Sequence, residues 1–487
     1  MSRETTFQDP RTEELDTRIM RSSAWAFVGY GGANALALVT TLVLARLLVP
    51  EDFGIVALSL SLLAVAQIVQ DSGLAASLIV HRGDMRRAAA TVLVFSPLVA
   101  TGLYAVFFAA APLAAAFFDE PRLTDVLRVM ALVLVLRGLT VMPVALLERQ
   151  MRFGPITAIE LGSGIAQAST AIALAFAGAG LWSLVGGQLA LGVARVLLSW
   201  CFAPLRPSPF EASRETLREL VRFGRHVGAA NLINYGNANS QGIVIGRVLG
   251  TTALGYYTIA SRLALMPVSV IGNVLGRGVF AALSRVADDP VRFRGIWLDN
   301  IKRVALLAAP AAIGLALVAE PLVLTLLGDD WERAIVPLQI LALNSAVSAF
   351  SGTSGEVFQA LGRPKLRVAG EAVYLTLIVP ALVIGANRHG IVGAAAAVIL
   401  VNTAVGIGLL TFIVRLLRVR PAELAHAVLR PALGWGLMAA SMLALRPVVD
   451  DKDSAIALVG LVVLGAGVYA LIVTLFARDL LVTMWVS

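Results

Sequence analysis

The sequence predicts an all-α polytopic membrane protein of about 14 transmembrane helices, built as two pseudo-symmetric six-helix lobes plus two C-terminal helices. Three observations carry that expectation: the composition, the sidedness of the arginines, and a short corner that the chain writes twice. Of 487 residues, 58% are hydrophobic and only 14% charged, with mean hydropathy +0.83. Soluble domains are about half apolar and about a quarter charged. Fourteen spans of roughly 20 residues each would occupy about 280 positions, close to the apolar total. A water-soluble chain of this length has no need of so much apolar surface.

Apolar runs place the spans near 23–45, 53–73, 88–110, 126–147, 155–177, 181–202, 224–247, 255–280, 303–319, 334–361, 367–386, 391–414, 431–445 and 455–476. They organise the chain into a tail (1–22), a first lobe (23–202), a linker (203–223), a second lobe (224–414), a loop (415–430), two further spans (431–476) and a short tail (477–487). The leader "MSRETTFQDPRTEELDTRIMRSS" is polar and charged, so a cytoplasmic tail is expected there rather than a cleavable signal peptide.

Arginines then set the orientation. The leader and the loops "HRGDMRR", "ERQMR", "RPSPFEASRETLRELVRFGR", "RFRGIWLDNIKR", "RPKLR" and "RLLRVRPAELAHAVLR" hold roughly 27 of the 39 Lys and Arg, and the opposite loops about 7. Both termini are therefore expected in the cytoplasm, with an even number of spans. The same distribution explains the net charge of +8 without nucleic acid as a partner. The opposite loops, such as "FFDEPRLTD", "LGDDWER" and "RPVVDDKDS", are short and leave no extramembrane domain for independent chemistry. Cys201 is the one cysteine, which excludes an internal disulfide and a cysteine-based metal cluster. His81, His226, His389 and His426 have no ligand spacing, so neither metal nor cofactor is expected.

The repeated corner is "LARLLVPEDFG" (44–54) against "IGRVLGTTALG" (245–255), which sets Arg46 and Arg247 201 positions apart. A second echo pairs 148–165 with 359–377 and brings Glu160 and Glu371 to matching depths; a third pairs "AGAGLWSLVGGQLALG" with "NRHGIVGAAAAVILVN". Parallel repeats of this kind build secondary transporters whose substrate path lies between the lobes. For Arg46 and Arg247 themselves, capping and interfacial snorkelling are the preferred reading over substrate contact.

Polar residues inside spans mark candidate sites, because charge near mid-membrane costs about 2.5–3.5 kcal/mol on insertion scales. Arg137, Arg195, Arg262 and Arg277 lean the interior cationic, and arginine geometry suits phosphate. Arg137, Arg262 and Arg277, together with Asn231 and Asn234 of span 7, are the substrate-binding candidates, with Arg46 and Arg247 behind them. Glu160, Glu356 and Glu371 are the coupling-ion candidates. The span-7 amides, including Asn237, Asn239 and Gln241, fit either a watery cavity or hydrogen bonds between helices. Pairing of Glu160 with Arg195 or Arg137 within one lobe is the competing account of the buried charge.

With these residues in hand, "LARLLVPEDFGIVAL" followed by "DSGLAASLIV" resembles the opening signature of bacterial polysaccharide-exporting flippases of the Wzx and colanic-acid-exporter type. "LLERQMRF" and "ALGRPKLR" resemble their turns after spans 4 and 10. These belong to the multidrug/oligosaccharidyl-lipid/polysaccharide exporter superfamily. The resemblance implies a multi-pass inner-membrane flippase moving undecaprenyl-pyrophosphate-linked oligosaccharide by alternating access, with a polysaccharide polymerase and a chain-length regulator as partners. A cation-coupled multidrug antiporter of the same architecture is the alternative. A membrane polymerase or glycosyltransferase is a third reading, disfavoured by the absence of a paired-carboxylate outside loop.

Overall fold

The computed structural model describes residues 31–70, 73–445 and 455–476, and within them the side chains outside 68–69, 223–234, 269–277, 455–457, 472 and 475–476. The expected tails 1–22 and 477–487 lie outside the described residues. Every regular element among the described residues is helical. In chain order they are α1 (Gly31–Leu47), α2 (Pro50–Gln70), α3 (Leu74–Val80), α4 (Met85–Phe118), α5 (Leu123–Met130), α6 (Leu132–Arg149), α7 (Phe153–Phe176), α8 (Leu181–Cys201), α9 (Arg214–Arg285), α10 (Pro290–Leu326), α11 (Ile335–Ala360), α12 (Pro364–Leu416), α13 (Pro421–Leu445) and α14 (Ala455–Phe476). Among the described residues, ten helices are long and apolar enough to cross a bilayer, and α1 and 458–471 are shorter apolar helices.

The two longest helices double back. Tyr257 donates its hydroxyl to Gln241 Oε1 at 2.7 Å, although 16 residues of unbroken helix span about 24 Å. The reversal is at Gly250, whose φ of 83° and ψ of 178° are open to glycine alone. In α12 the same happens at His389–Gly390. Gly385 and Gly393, roughly 12 Å apart along a straight helix, meet so closely that a methyl on either would overlap the other's carbonyl.

The sequence echoes recur as geometry. Met151 (φ 53°) and Gly362 (φ 66°) stand 211 positions apart in the turns that precede α7 and α12. Gly180 (φ 53°, ψ −129°) and Gly390 (φ 59°, ψ −142°) take nearly the same conformation at the next turns.

The chain forms two compact units, and neither is a sequence half. One comprises Met1–Leu44, Ala66–Ala111 and Leu127–Ala229; the other comprises Ala45–Val65, Pro112–Val126 and Ala230–Ser487. Within the first, Leu74, Leu78, Val92, Met142 and Leu146 form a core that Leu220 of the α9 stem completes. Arg149 Nη1 donates to the carbonyls of Leu78, Ile79 and His81, at 3.1, 2.6 and 2.7 Å, closing the C-terminal end of α3.

Within the second, Trp297, Phe293 and Phe358 fill one core. Val318, Met438, Met442 and Leu461 fasten α13 and α14 to α10. The twin corners meet here. A methyl on Gly54 would overlap the Thr251 carbonyl, and one on Gly255 would overlap the Pro50 carbonyl. Pro50 and Gly54 are matched by Thr251 and Gly255 201 positions on, so the contact is reciprocal. Around it, Thr251 Oγ1 donates to Glu120 at 3.0 Å, and Arg122 bonds Glu120 and Glu51. Trp331, fully buried, donates to the Ala45 carbonyl at 2.8 Å and takes Phe53 and Tyr256 edge-on.

Gly54→Ala will force two backbones apart, costing about 1–3 kcal/mol as overpacking. The expected result is a lowered apparent melting temperature of the detergent-purified protein. Gly408→Ala, where a Cβ meets open space, leaves that temperature unchanged.

Candidate functional site

Polar side chains in an apolar span must find partners, since lipid offers none. Their pairings show where chemistry is available. In the first unit, α2 stops at Gln70 and the chain restarts as α3 after Gly73, which sits in the left-handed region (φ 77°). The last turn of α2 is held against α6: buried Gln70 donates to the Leu134 carbonyl at 2.8 Å, and Arg137 Nη1 donates to Gln67 Oε1 at 2.8 Å. The guanidinium of Arg137 thus bonds the last turn of α2, ahead of the left-handed Gly73 that precedes α3. Further along, Arg195 pairs with Glu160 between α8 and α7. The carboxylate of Glu160 already has its cation.

In the second unit, Arg46 donates to the carbonyls of Leu326 (2.9 Å) and Thr325 at the C-terminal end of α10, where a cation complements the helix dipole. Arg247 lies over the Phe117 ring, 5.1 Å from its centroid. Both twin-corner arginines thus have partners within the unit. Arg262, on the second limb of α9, is exposed. Asn231, Asn234 and Arg277 lie outside the described side chains.

The remaining span-7 amides bond within the unit. Asn237 Nδ2 donates to Glu371 Oε2 at 2.6 Å, Asn239 bonds the Tyr235 carbonyl of its own helix, and Gln241 receives Tyr257. Glu371 opens onto a cavity of about 390 Å³ between α11 and α12, whose wall also carries Glu356, Arg367, Ser348, Tyr374 and Asn402. Glu356 accepts from Asn300 Nδ2 at 3.1 Å. Asn300 is 2% exposed, and its Oδ1 has no hydrogen-bond donor. Two carboxylates and several hydroxyls line this wall together with the Arg367 guanidinium, and Asn300 reaches Glu356 from α10 behind it.

This pocket pairs two of the coupling-ion candidates and leaves the third apart. Sequence reasoning missed Asn300, which sits among charges at 299–303, Gln67, a turn before Gln70, and Asn402, a lone amide in an apolar run. Asn402 bonds Asn344 Oδ1 at 2.9 Å and Ser348 Oγ at 2.7 Å. Amides recurring on facing spans are the one signal that could have flagged them, and it does not say which helices face.

The doubled-back helices and the in-membrane polar pairs define a polytopic membrane protein, and the family and relatives that it matches mark it as a transporter rather than an enzyme. Its fold is that of a solved structure, "Lipid II flippase MurJ, inward closed conformation", with TM-score 0.78 at 14% identity over 95% of this chain and all of that one. A family model described as "Polysaccharide biosynthesis protein" matches residues 43–336, and the chain belongs to that family. Relatives include the lipopolysaccharide biosynthesis protein WzxC of Escherichia coli (strain K12), 25% identical over 80% of this chain and 79% of its own length. The succinoglycan biosynthesis transport protein ExoT of Rhizobium meliloti (strain 1021) is 30% identical over 68% of this chain and 66% of its own.

Asn402→Leu removes both bonds from Asn402 to α11 and is expected to cost on the order of 1 kcal/mol, as such bonds do in bilayers. Unfolding in mixed micelles measures the loss; Asn402→Gln, which keeps an amide, recovers part of it.

Proposed function

We propose that this protein is a flippase for undecaprenyl-pyrophosphate-linked oligosaccharide repeat units in surface polysaccharide biosynthesis. It would work by alternating access across the bacterial inner membrane, with both termini in the cytoplasm. Fourteen crossings follow if α9 and α12 each cross twice and α1 and α14 once. Membership of the polysaccharide biosynthesis family, joined to a transporter fold with no extramembrane domain among the described residues, is the observation that carries this reading. A polymerase and a chain-length regulator would then take the flipped product on.

Arg137 and Arg262 are assigned to the pyrophosphate, with Arg277, Asn231 and Asn234 as further cavity candidates. Arg137 bonds the last turn of α2, where a bulky polar headgroup can approach the chain. Arg46 and Arg247 are assigned to structure instead. Of the acidic candidates, Glu356 and Glu371 are assigned to the coupling cation, because they line one cavity. Glu160, already bound by Arg195, is assigned a structural role. The same carboxylate pair favours a cation-coupled antiporter as second reading; drug-susceptibility profiles with and without the protein separate the two.

Deletion will abolish surface polysaccharide and leave lipid-linked repeat units facing the cytoplasm, measured by protecting-group labelling of intact against permeabilised membranes. Unchanged export in the deletion strain would sink the proposal. Arg137→Ala and Arg262→Ala will each lower export severalfold at wild-type membrane abundance. Glu356→Gln and Glu371→Gln will uncouple uptake of the driving ion from flipping in proteoliposomes, whereas Glu160→Gln will lower abundance and spare coupling.

A further inference from the structure

Between α8 and α9 the chain crosses from one half of the sequence to the other through "FAPLRPSPFEAS". Three prolines, Pro204, Pro207 and Pro209, stiffen it, and it ends in a short 3-10 turn over Pro209–Glu211. Phe210, inside that turn, is 99% exposed, more than any other large apolar residue described.

The turn is not loose. Glu211 holds Arg86 through both carboxylate oxygens at 2.9 Å, and the Ser213 amide donates to Thr91 Oγ1 at 3.1 Å. Leu220 follows into the core, where its carbonyl accepts from Ser77 at 2.8 Å. Arg86 and Thr91 lie in the first two turns of α4, a helix of spanning length. Thr91 is six residues past the start of α4, about 9 Å in at 1.5 Å per residue. These bonds hold Phe210 close to the first two turns of α4, where the apolar run of that helix begins at Ala88.

The exposed charges of the linker, the start of α9 and the turn before α4 include Arg82, Arg86, Arg87, Arg206, Arg214, Arg218 and Arg222 against Asp84, Glu215 and Glu219. A rigidly presented aromatic ring at headgroup depth with a surplus of arginine matches the chemistry of an anionic lipid surface.

We propose that this linker is a membrane-surface anchor, with Phe210 seated among the headgroups and acyl-chain ends, and the neighbouring arginines holding anionic lipid. The ring is already presented by its prolines and pinned by Glu211 and Ser213, so little further ordering accompanies its insertion. The anchor acts on whatever cargo the protein carries and does not depend on the assignment of the transported lipid.

The test is power-saturation EPR on Phe210→Cys, spin-labelled in a Cys201→Ser background and reconstituted into phosphatidylglycerol-containing liposomes. Phe210 packs on nothing, so the label leaves the fold intact, and gel filtration checks this. Collisions with a water-soluble nickel chelate are expected to fall several-fold relative to the same label on glutathione in buffer, and less in pure phosphatidylcholine. Water-like accessibility in phosphatidylglycerol would overturn the proposal and leave the ring for a protein partner. Equal shielding in both lipids would overturn the role given to anionic lipid.

Discussion

Two helices bring their main chains into contact only where neither carries a side chain in the way, and the second compact unit is organised around one such place. Gly54 faces the Thr251 carbonyl and Gly255 faces the Pro50 carbonyl, with no room at either for a single methyl group. Close approach lets short neighbours finish the seal. Thr251 reaches Glu120, Arg122 gathers Glu120 and Glu51, and Trp331 spans from the Ala45 carbonyl to two aromatic edges. Arg46 can cap α10 because its helix ends beside that of α10 at this crossing. Small residues serve this purpose well in lipid, where packing rather than water drives helix association.

A second constraint is that polar atoms within spans are answered locally. Where the two halves can be matched, the answers differ. Glu160 is met by a guanidinium from the next helix of its own half. Glu371, its counterpart, is met by an amide, and its surroundings open into a cavity with Glu356 and Arg367 on the wall. The matched position is therefore ion-paired in one half and amide-bonded beside a cavity in the other.

Much of the fold was legible in the sequence because its signals are one-dimensional. Apolar runs mark spans, and Gly250 and Gly390 fall where a helix must reverse. The corners at 44–54 and 245–255 announced an internal repeat whose turns at Met151 and Gly362, and at Gly180 and Gly390, have related backbone geometry. The compact units were not legible. That Ala45–Val65 and Pro112–Val126 fall with the second half depends on close packing at glycines, which hydropathy does not record. The site was legible only in part. Sequence gives the depth of Arg137, Glu356 and Glu371, but not which helix each faces, so Gln67, Asn300 and Asn237 could not be named as their partners. Capping by Arg46 was the preferred reading, and the geometry shows the carbonyls that it serves.

The crossing of Gly54 and Gly255 has a consequence for how such a chain can change over time. Duplication ordinarily frees one copy to drift while the other keeps its task. Here each copy is the other's lining, so a bulkier residue at either glycine calls for a matching retreat about two hundred positions away. The two halves share one mutational fate at this point, as the subunits of a homodimer do across their axis.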